Sequence, residues 1–269
     1  MIYINNENKI KRIIDQKDNC CFFLDYDKTI TTSDSEDSWA ASANREAMGN
    51  KIADTLDKLY EKYAPIEVDY SLDTKQKEKY MVEWYSKCLD SYYNNGLTKK
   101  QLEESILKSN IIFRKGVKDF FVRLEKENIP VIILSAGIGN VIQKALEMNG
   151  CYYSNIKLIS NFLKFDSDGH MVKYKDTMIH TFNKNIDLLK TKEIDKTLST
   201  KNYRIVIGDL IEDINMVGKW NDSNLIKIGF LNDNIDKNLE YYNKSFDIVL
   251  TNTDNNFYDI LNIFYGNFN

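Results

Sequence analysis

Five short, nearly uninterrupted apolar runs, each ending near a polar or glycine position, constrain this 269-residue chain more than any other feature. Cys20-Cys21-Phe22-Phe23-Leu24 runs into Asp25, Val131-Ile132-Ile133-Leu134 into Ser135, and Ile205-Val206-Ile207 into Gly208-Asp209. Leu225-Ile226-Lys227-Ile228 and Asp247-Ile248-Val249-Leu250 follow. Continuous rather than alternating apolar character marks strands covered on both faces, as in a parallel sheet. Helical patterns lie between them. Val117, Phe120, Phe121 and Leu124 share one stripe before Pro130 opens the next strand, and a helix fits Ile138 to Asn149 with Gly150 as its left-handed stop. Strand–helix alternation of this kind predicts an α/β fold, a doubly wound, Rossmann-like parallel sheet.

One region breaks the rhythm. From about Trp39 to Lys115 no parallel strand is evident; Ile52, Leu56, Leu59 and Tyr63 mark one helix, and Tyr80, Trp84, Cys88 and Tyr92 another. Thr98 with Gln101 fits a capping box ahead of Leu102 and Ile106. The expected organisation is a core domain from 1–38 and 116–269 with a helical cap domain, 39–115, inserted after the first strand.

Composition narrows the function classes. Apolar residues at 43% suffice for a buried core and exclude wholesale disorder. The balance of 36 basic against 40 acidic side chains argues against a nucleic-acid polymer as partner. An anionic substrate then needs a cation or a focused positive field. Cys20, Cys21, Cys88 and Cys151 have no metal-ligand spacing and suit a reducing compartment. The N-terminus is polar, and no run approaches the ~20 apolar residues of a membrane span. The expectation is a cytoplasmic protein without membrane contact, a monomer or weak oligomer.

In open α/β sheets, ligands bind at the carboxyl ends of the strands. Those ends carry Asp25 with Asp27, then Ser135, then Asp209 with Asp213. Asp25 and Asp27, two apart on an extended segment, can point the same way. One aspartate at a strand end is ordinarily a turn or cap residue; the whole set at the ends of three strands is not explained that way. Four carboxylates in one crevice repel unless a cation neutralises them, and an all-oxygen site suits magnesium.

The set resembles the haloacid dehalogenase superfamily. Asp25-Tyr26-Asp27-Lys28-Thr29 is similar to its first motif; Ser135, Lys184 and Gly208-Asp209-Leu210-Ile211-Glu212-Asp213 are similar to the second, third and fourth. The resemblance implies that Asp25 is a nucleophile forming an aspartyl-phosphate and Asp27 the general acid and later base. It implies that Ser135 donates to a phosphoryl oxygen and that Lys184 offsets the developing charge. Asp209 and Asp213 would hold magnesium together with Asp25 and the backbone carbonyl of Asp27. Spacing alone leaves Lys164, Lys173 and Lys175 as competitors of Lys184.

A narrower resemblance selects Lys184. His180-Thr181-Phe182-Asn183-Lys184, Ser135-Ala136-Gly137-Ile138-Gly139, Ser160-Asn161-Phe162 and Lys227-Ile228-Gly229-Phe230-Leu231-Asn232-Asp233 resemble the cytosolic pyrimidine 5'-nucleotidases of type III. So do Ile66-Glu67-Val68-Asp69 and Tyr80-Met81-Val82-Glu83-Trp84-Tyr85 in the insert. The family includes enzymes acting on 7-methylguanosine monophosphate. Membership implies hydrolysis of a nucleoside 5'-monophosphate, with Ser135, Ala136 and Lys184 at the phosphate and Glu67, Trp84 and Cys88 at the base. Glu67 would read an exocyclic amine. Trp84 is a stacking candidate that a core role explains equally well, and Trp39 a weaker one. His180 reads as a structural histidine, and Asp166-Ser167-Asp168-Gly169 as a turn rather than a calcium loop. Thr31 to Asn50 departs from the family pattern, as does Cys88, where a serine or other small residue is usual. Two competing expectations are a broad small-molecule phosphomonoesterase of the same fold and a non-catalytic nucleotide-binding protein.

Overall fold

The computed structural model describes residues 1–67, 69, 71–251 and 256–266. Its strands are β1 (Ile2–Ile4), β2 (Cys20–Leu24), β3 (Val131–Ile138), β4 (Ile156–Asn161), β5 (Tyr203–Gly208), β6 (Leu225–Leu231) and β7 (Ile248–Thr251). They form one sheet in the order β1-β7-β6-β5-β2-β3-β4, parallel except for β1 against β7. The α/β expectation holds. The five predicted strands are present; β1 and β4, at the two edges, were not foreseen.

Alternation within β2 shows why the sheet needs two covers. Cys20, Phe22 and Leu24 point into one apolar cluster with Phe120, Phe121 and Phe257, whereas Cys21 and Phe23 point into another with Ile186, Val206 and Met216. All five β2 residues are fully buried. Each large side chain so buried contributes about 1.5–3 kcal/mol, which fixes the register of the central strand.

Helices follow the predicted stripes. α1 (Glu7–Ile14), α2 (Ser38–Ala41), α3 (Arg45–Met48), α4 (Asn50–Glu67), α5 (Thr74–Asn94) and α6 (Lys99–Lys108) precede α7 (Val117–Lys126) and α8 (Gly139–Met148). α9 (Ile186–Leu189), α10 (Lys192–Leu198), α11 (Ile235–Ser245) and α12 (Phe257–Tyr265) complete the set. Thr98 and Gln101 make the expected reciprocal capping box on α6, and Gly150 ends α8 at φ +61°. Helices α2 to α6 fill the interval between β2 and β3. Met48, Ile52, Tyr63, Met81, Trp84, Tyr85 and Tyr92 form a separate apolar cluster there, which also takes in Val141 of α8.

The connections create one crevice. From β2 the chain proceeds to β3 and β4 on one side, then returns to place β5, β6 and β7 on the other. Strand order reverses at β2, and the carboxyl ends of β2 and β5 flank the opening.

Candidate active site

Strand register brings the acidic residues together. Leu24 pairs with Ile207 and Ile133, and the ladder continues one step as Asp25 N donates to the Ile207 carbonyl at 3.0 Å. Asp25 therefore stands beside the end of β5, where Asp209 follows Gly208. Asp213, in the turn after β5, is fully buried; its Oδ2 accepts from the amides of Asp209 at 3.2 Å and Leu210 at 3.0 Å. A side chain on Gly208 would put its Cβ 2.4 Å from that of Asp213, so only glycine allows the turn this close. Carboxylate oxygens of Asp25, Asp209 and Asp213 lie within 4.8 Å of one another.

Lys184 bridges this cluster. Its Nζ lies 2.7 Å from Asp25 Oδ1 and 2.5 Å from Asp213 Oδ1, and all three side chains are buried. Burial works against the ammonium, but Asp213 and Asp25 outweigh it and hold Lys184 firmly charged. Burial pushes the Asp25 carboxyl up to about 6 against the pull of Lys184, with Asp213 adding to the rise. Burial, then the charges of Asp25 and Asp213, also pushes Asp209 well above the usual carboxylate range. Three crowded carboxyls with one lysine lack positive charge, and their oxygen-only donor set fits a hard divalent cation. Asp213, committed to Lys184 and two amides, is the least available of the three for direct ligation. Thr29 Oγ1 reaches Asp209 Oδ1 at 3.5 Å.

Asp27 is held apart from that cluster. Its Oδ1 accepts from the Ser38 amide at 2.8 Å and its Oδ2 from the Ser38 hydroxyl at 2.7 Å. Burial, followed by the charges of Asp37 and Asp25, lifts this carboxyl to about 8 despite the Ser38 bonds. Among the described residues its carboxylate thus joins no cluster of metal-ligating groups, which leaves its backbone carbonyl for such a role. Ser38 carried no recognisable pattern in the sequence. A Cβ on Gly137 would fall 1.8 Å from Ser38 Oγ, so Gly137 is the mark this contact leaves in the Ser135–Gly139 run.

Ser135 sits in a break of the β3–β4 ladder, where pairing jumps from Leu134/Ile159 to Ile138/Asn161. The extra residues form a bulge, and Ser135 Oγ accepts from Gly137 N at 3.0 Å. Asn161 Nδ2 donates to the carbonyls of Ala136 at 2.9 Å and Ile179 at 2.8 Å, tying the bulge to the segment that leads to Lys184. Arg114, buried and unmentioned by any motif, donates to the carbonyls of Thr29 at 2.9 Å and Lys28 at 2.7 Å. It braces the loop that carries Asp25 and Asp27.

The insert's residues fall in two places. The Glu67 carboxylate meets the core, where Thr181 Oγ1 donates to its Oε1. Burial pushes its pKa above the usual carboxylate range, opposed by the Thr181 bond and Lys184. Trp84 and Cys88 lie in the insert's own apolar cluster. The Trp84 ring packs 6.0 Å from Tyr63, 5.9 Å from Tyr60 and 5.4 Å from Tyr85. Trp39 Nε1 donates to the Ala136 carbonyl at 3.2 Å. His180 has the structural role expected: Nδ1 accepts from Phe182 N at 3.3 Å, and burial lowers the imidazole to about 4. Asp166 Oδ1 accepts from the amides of Asp168 and His170, closing the expected turn.

Of the rival lysines, Lys164 pairs with Asp176 at an exposed site, and Lys173 and Lys175 line a surface groove with it. A larger recess of about 510 Å³, lined by Asn202, Lys219, Trp220, Asn221 and Asn224, opens by the amino ends of β5 and β6, away from the carboxylates.

A parallel sheet with this strand order and a lysine-bridged carboxylate cluster at its switch point defines a phosphatase of the haloacid dehalogenase type. Phosphoserine phosphatase shares the fold, with a TM-score of 0.57 at 17% identity over 90% of this chain and 96% of that one. The pyrimidine 5'-nucleotidase (UMPH-1) family model matches residues 31–263, and the chain belongs to that family of enzymes. The structure of cytosolic 5'-nucleotidase IIIB bound to cytidine superposes with a TM-score of 0.86 at 30% identity, covering 98% of this chain and 92% of that chain. The 7-methylguanosine phosphate-specific 5'-nucleotidase A of Xenopus laevis is 37% identical over 193 residues, 71% of this chain and 67% of its own. Its Homo sapiens counterpart is 35% identical over 208 residues, 77% and 69% respectively.

Proposed function

We propose that this enzyme hydrolyses nucleoside 5'-monophosphates to nucleoside and phosphate through an aspartyl-phosphate on Asp25. The observation that carries the reading is the division of labour between two carboxyls two residues apart. Asp25 is bonded to Lys184, whereas Asp27 is isolated on Ser38 and pushed up to about 8. Environments that separate two carboxyls in this way mark a nucleophile and a general acid.

Asp25 attacks phosphorus, and the bond to the nucleoside 5'-oxygen breaks as Asp27 donates its proton to that oxygen. Asp27, then ionised and still held by Ser38, takes a proton from the water that cleaves the acyl phosphate. Lys184 faces the charge gathering on the transferring group, and the Ser135 hydroxyl orients one of its oxygens. Asp25, Asp209 and the Asp27 carbonyl, with Asp213 in support, would hold a magnesium ion, which would supply positive charge to offset the phosphoryl and carboxylate groups. Helices of residues 39–115 act as a cap over the core of 1–38 and 116–269 and exclude water on closure. At the base end, Glu67 accepts from an exocyclic amine, as on cytosine or 7-methylguanine. A cytosolic setting belongs to the same reading; no described helix is long and apolar enough to cross a membrane.

The test is phosphate release from cytidine, uridine, adenosine and 7-methylguanosine monophosphates and a sugar phosphate, with and without magnesium. Magnesium-dependent turnover of nucleotides with a donating base is expected. Asp25→Asn should be silent on all of them. Turnover surviving in Asp25→Asn removes the nucleophile, and activity confined to the sugar phosphate removes the nucleotidase reading.

A further inference from the structure

The only hydrogen bond to the Glu67 carboxylate among the described residues comes from the core, not from the insert that carries it. Glu67 ends α4, and Thr181 Oγ1 donates to Oε1. Thr181 opens a single turn, Thr181–Asn183, whose geometry is heavily determined. His180 Nδ1 accepts from Phe182 N at 3.3 Å, Asn183 Oδ1 accepts from His180 N at 2.7 Å, and Asn183 Nδ2 donates to the Met178 carbonyl at 2.8 Å. That turn leads straight into Lys184. On the insert side, buried Lys77 donates to the Glu67 carbonyl at 3.0 Å, and its Nζ lies 5.5 Å from the centre of the Phe182 ring. Lys77 thus fixes the end of the helix through the Glu67 carbonyl, and Thr181 holds the carboxylate from the core side.

We propose that Thr181 is a specificity-determining residue: its hydroxyl occupies Oε1 of Glu67 and keeps the carboxylate an acceptor, so that Oε2 offers lone pairs alone to the base. The inference rests on the reading of Glu67 as base reader. A cytosine amine donates to such an oxygen, whereas the 4-oxygen of uracil brings a second acceptor against it. Discrimination of this polar kind is large because the rejected base leaves a buried group unpaired.

Removing the Thr181 hydroxyl changes what Glu67 can do. The groups acting on its charge are Lys184, Glu212 and Asp37, of which two are anionic. Burial already favours the neutral acid, and Thr181 opposes it. Loss of that donor shifts the balance further towards the neutral acid, whose proton can be donated to uracil, and selectivity relaxes accordingly.

The experiment measures kcat/KM for cytidine and uridine 5'-monophosphates in the wild type, Thr181→Val, Thr181→Ser, Glu67→Gln and the Thr181→Val/Glu67→Gln double variant. The expected result is a cytidine-to-uridine ratio about tenfold lower in Thr181→Val, the worth of one hydrogen bond to a charged group. Thr181→Ser should restore it, and Thr181→Val should leave the ratio unmoved in the Glu67→Gln background. If Thr181→Val does not fold, Thr181→Ala replaces it in both backgrounds. A ratio that Glu67→Gln shifts but loss of the hydroxyl does not overturns the role of Thr181 alone. A ratio that Glu67→Gln leaves unchanged overturns the base reader, and the inference with it.

Discussion

The crevice and the helical insert hold their polar groups on opposite terms. In the crevice, Asp25, Asp209 and Asp213 are crowded together with one lysine bridging two of them, and Asp27 stands apart on Ser38. Strand register keeps charges of one sign close, and burial with that crowding raises the pKa values of Asp25, Asp27 and Asp209. In the insert, Trp84, Tyr85, Tyr63 and Tyr92 pack as an ordinary apolar core. Its half-buried Glu67 carboxylate takes its hydrogen bond from across the seam. On the proposed reading, chemistry depends on the carboxyl ends of β2 and β5, and selectivity on how one helix end meets one turn.

The largest expected effect breaks the insert without touching the crevice. Trp84→Ala should cost about 3–5 kcal/mol of stability, because a packed indole leaves a cavity among three tyrosines. Denaturant unfolding measures it. A loss confined to KM, with stability intact, would instead make Trp84 a stacking platform. Close behind, Lys184→Met should lower kcat by roughly 10²–10³, about 2.7–4 kcal/mol, as for loss of one preorganised stabiliser. Single-turnover phosphate release checks it, and unchanged turnover would remove Lys184 from the chemistry.

A third effect lies at the seam and depends on pH. The folded His180 imidazole titrates at about 4, below its ordinary 6.5, because burial disfavours the cation. Its contribution is complete above pH 6.5 and is lost as pH falls towards 4, on the order of 3 kcal/mol over that window. Asn at position 180 keeps an acceptor for Phe182 N without a titrating group. Unfolding of His180→Asn should therefore lack that part of the acid loss. The smallest effect sharpens the insert's side of the comparison. Burial pushes the Cys88 thiol up to about 12, so thiol reagents should label it only after unfolding. Labelling of the native protein would place it on an open surface.

Legibility followed the same division. β2, β3 and β5 announce themselves because both faces are covered and each carries an unbroken apolar run, Cys20 to Leu24, Val131 to Leu134 and Ile205 to Ile207. β1 and β4 do not: Ile2 and Ile4 are 42% and 40% exposed, and Lys157 interrupts β4. Edge strands draw their stability from a neighbour rather than from their own composition. Asp25, Asp27, Ser135, Asp209 and Asp213 were readable as residues at strand ends, whereas Lys184 needed family resemblance to be chosen over Lys164, Lys173 and Lys175. Ser38, Arg114 and Thr181 left no signal of their own, since a serine, arginine or threonine in a loop is ordinary. Only the prohibition on a Cβ at Gly137 hints at Ser38.

By itself the sequence determined which chemical groups stand at the ends of which strands, because apolar continuity sets the strands and the next residue is covalently obliged to follow. Tertiary structure alone decided which groups meet. Lys184 reaches Asp25 across 159 residues, and Thr181 reaches Glu67 across 114. It also decided how each carboxyl titrates, since burial and neighbouring charge, not residue type, set the affinity for a proton.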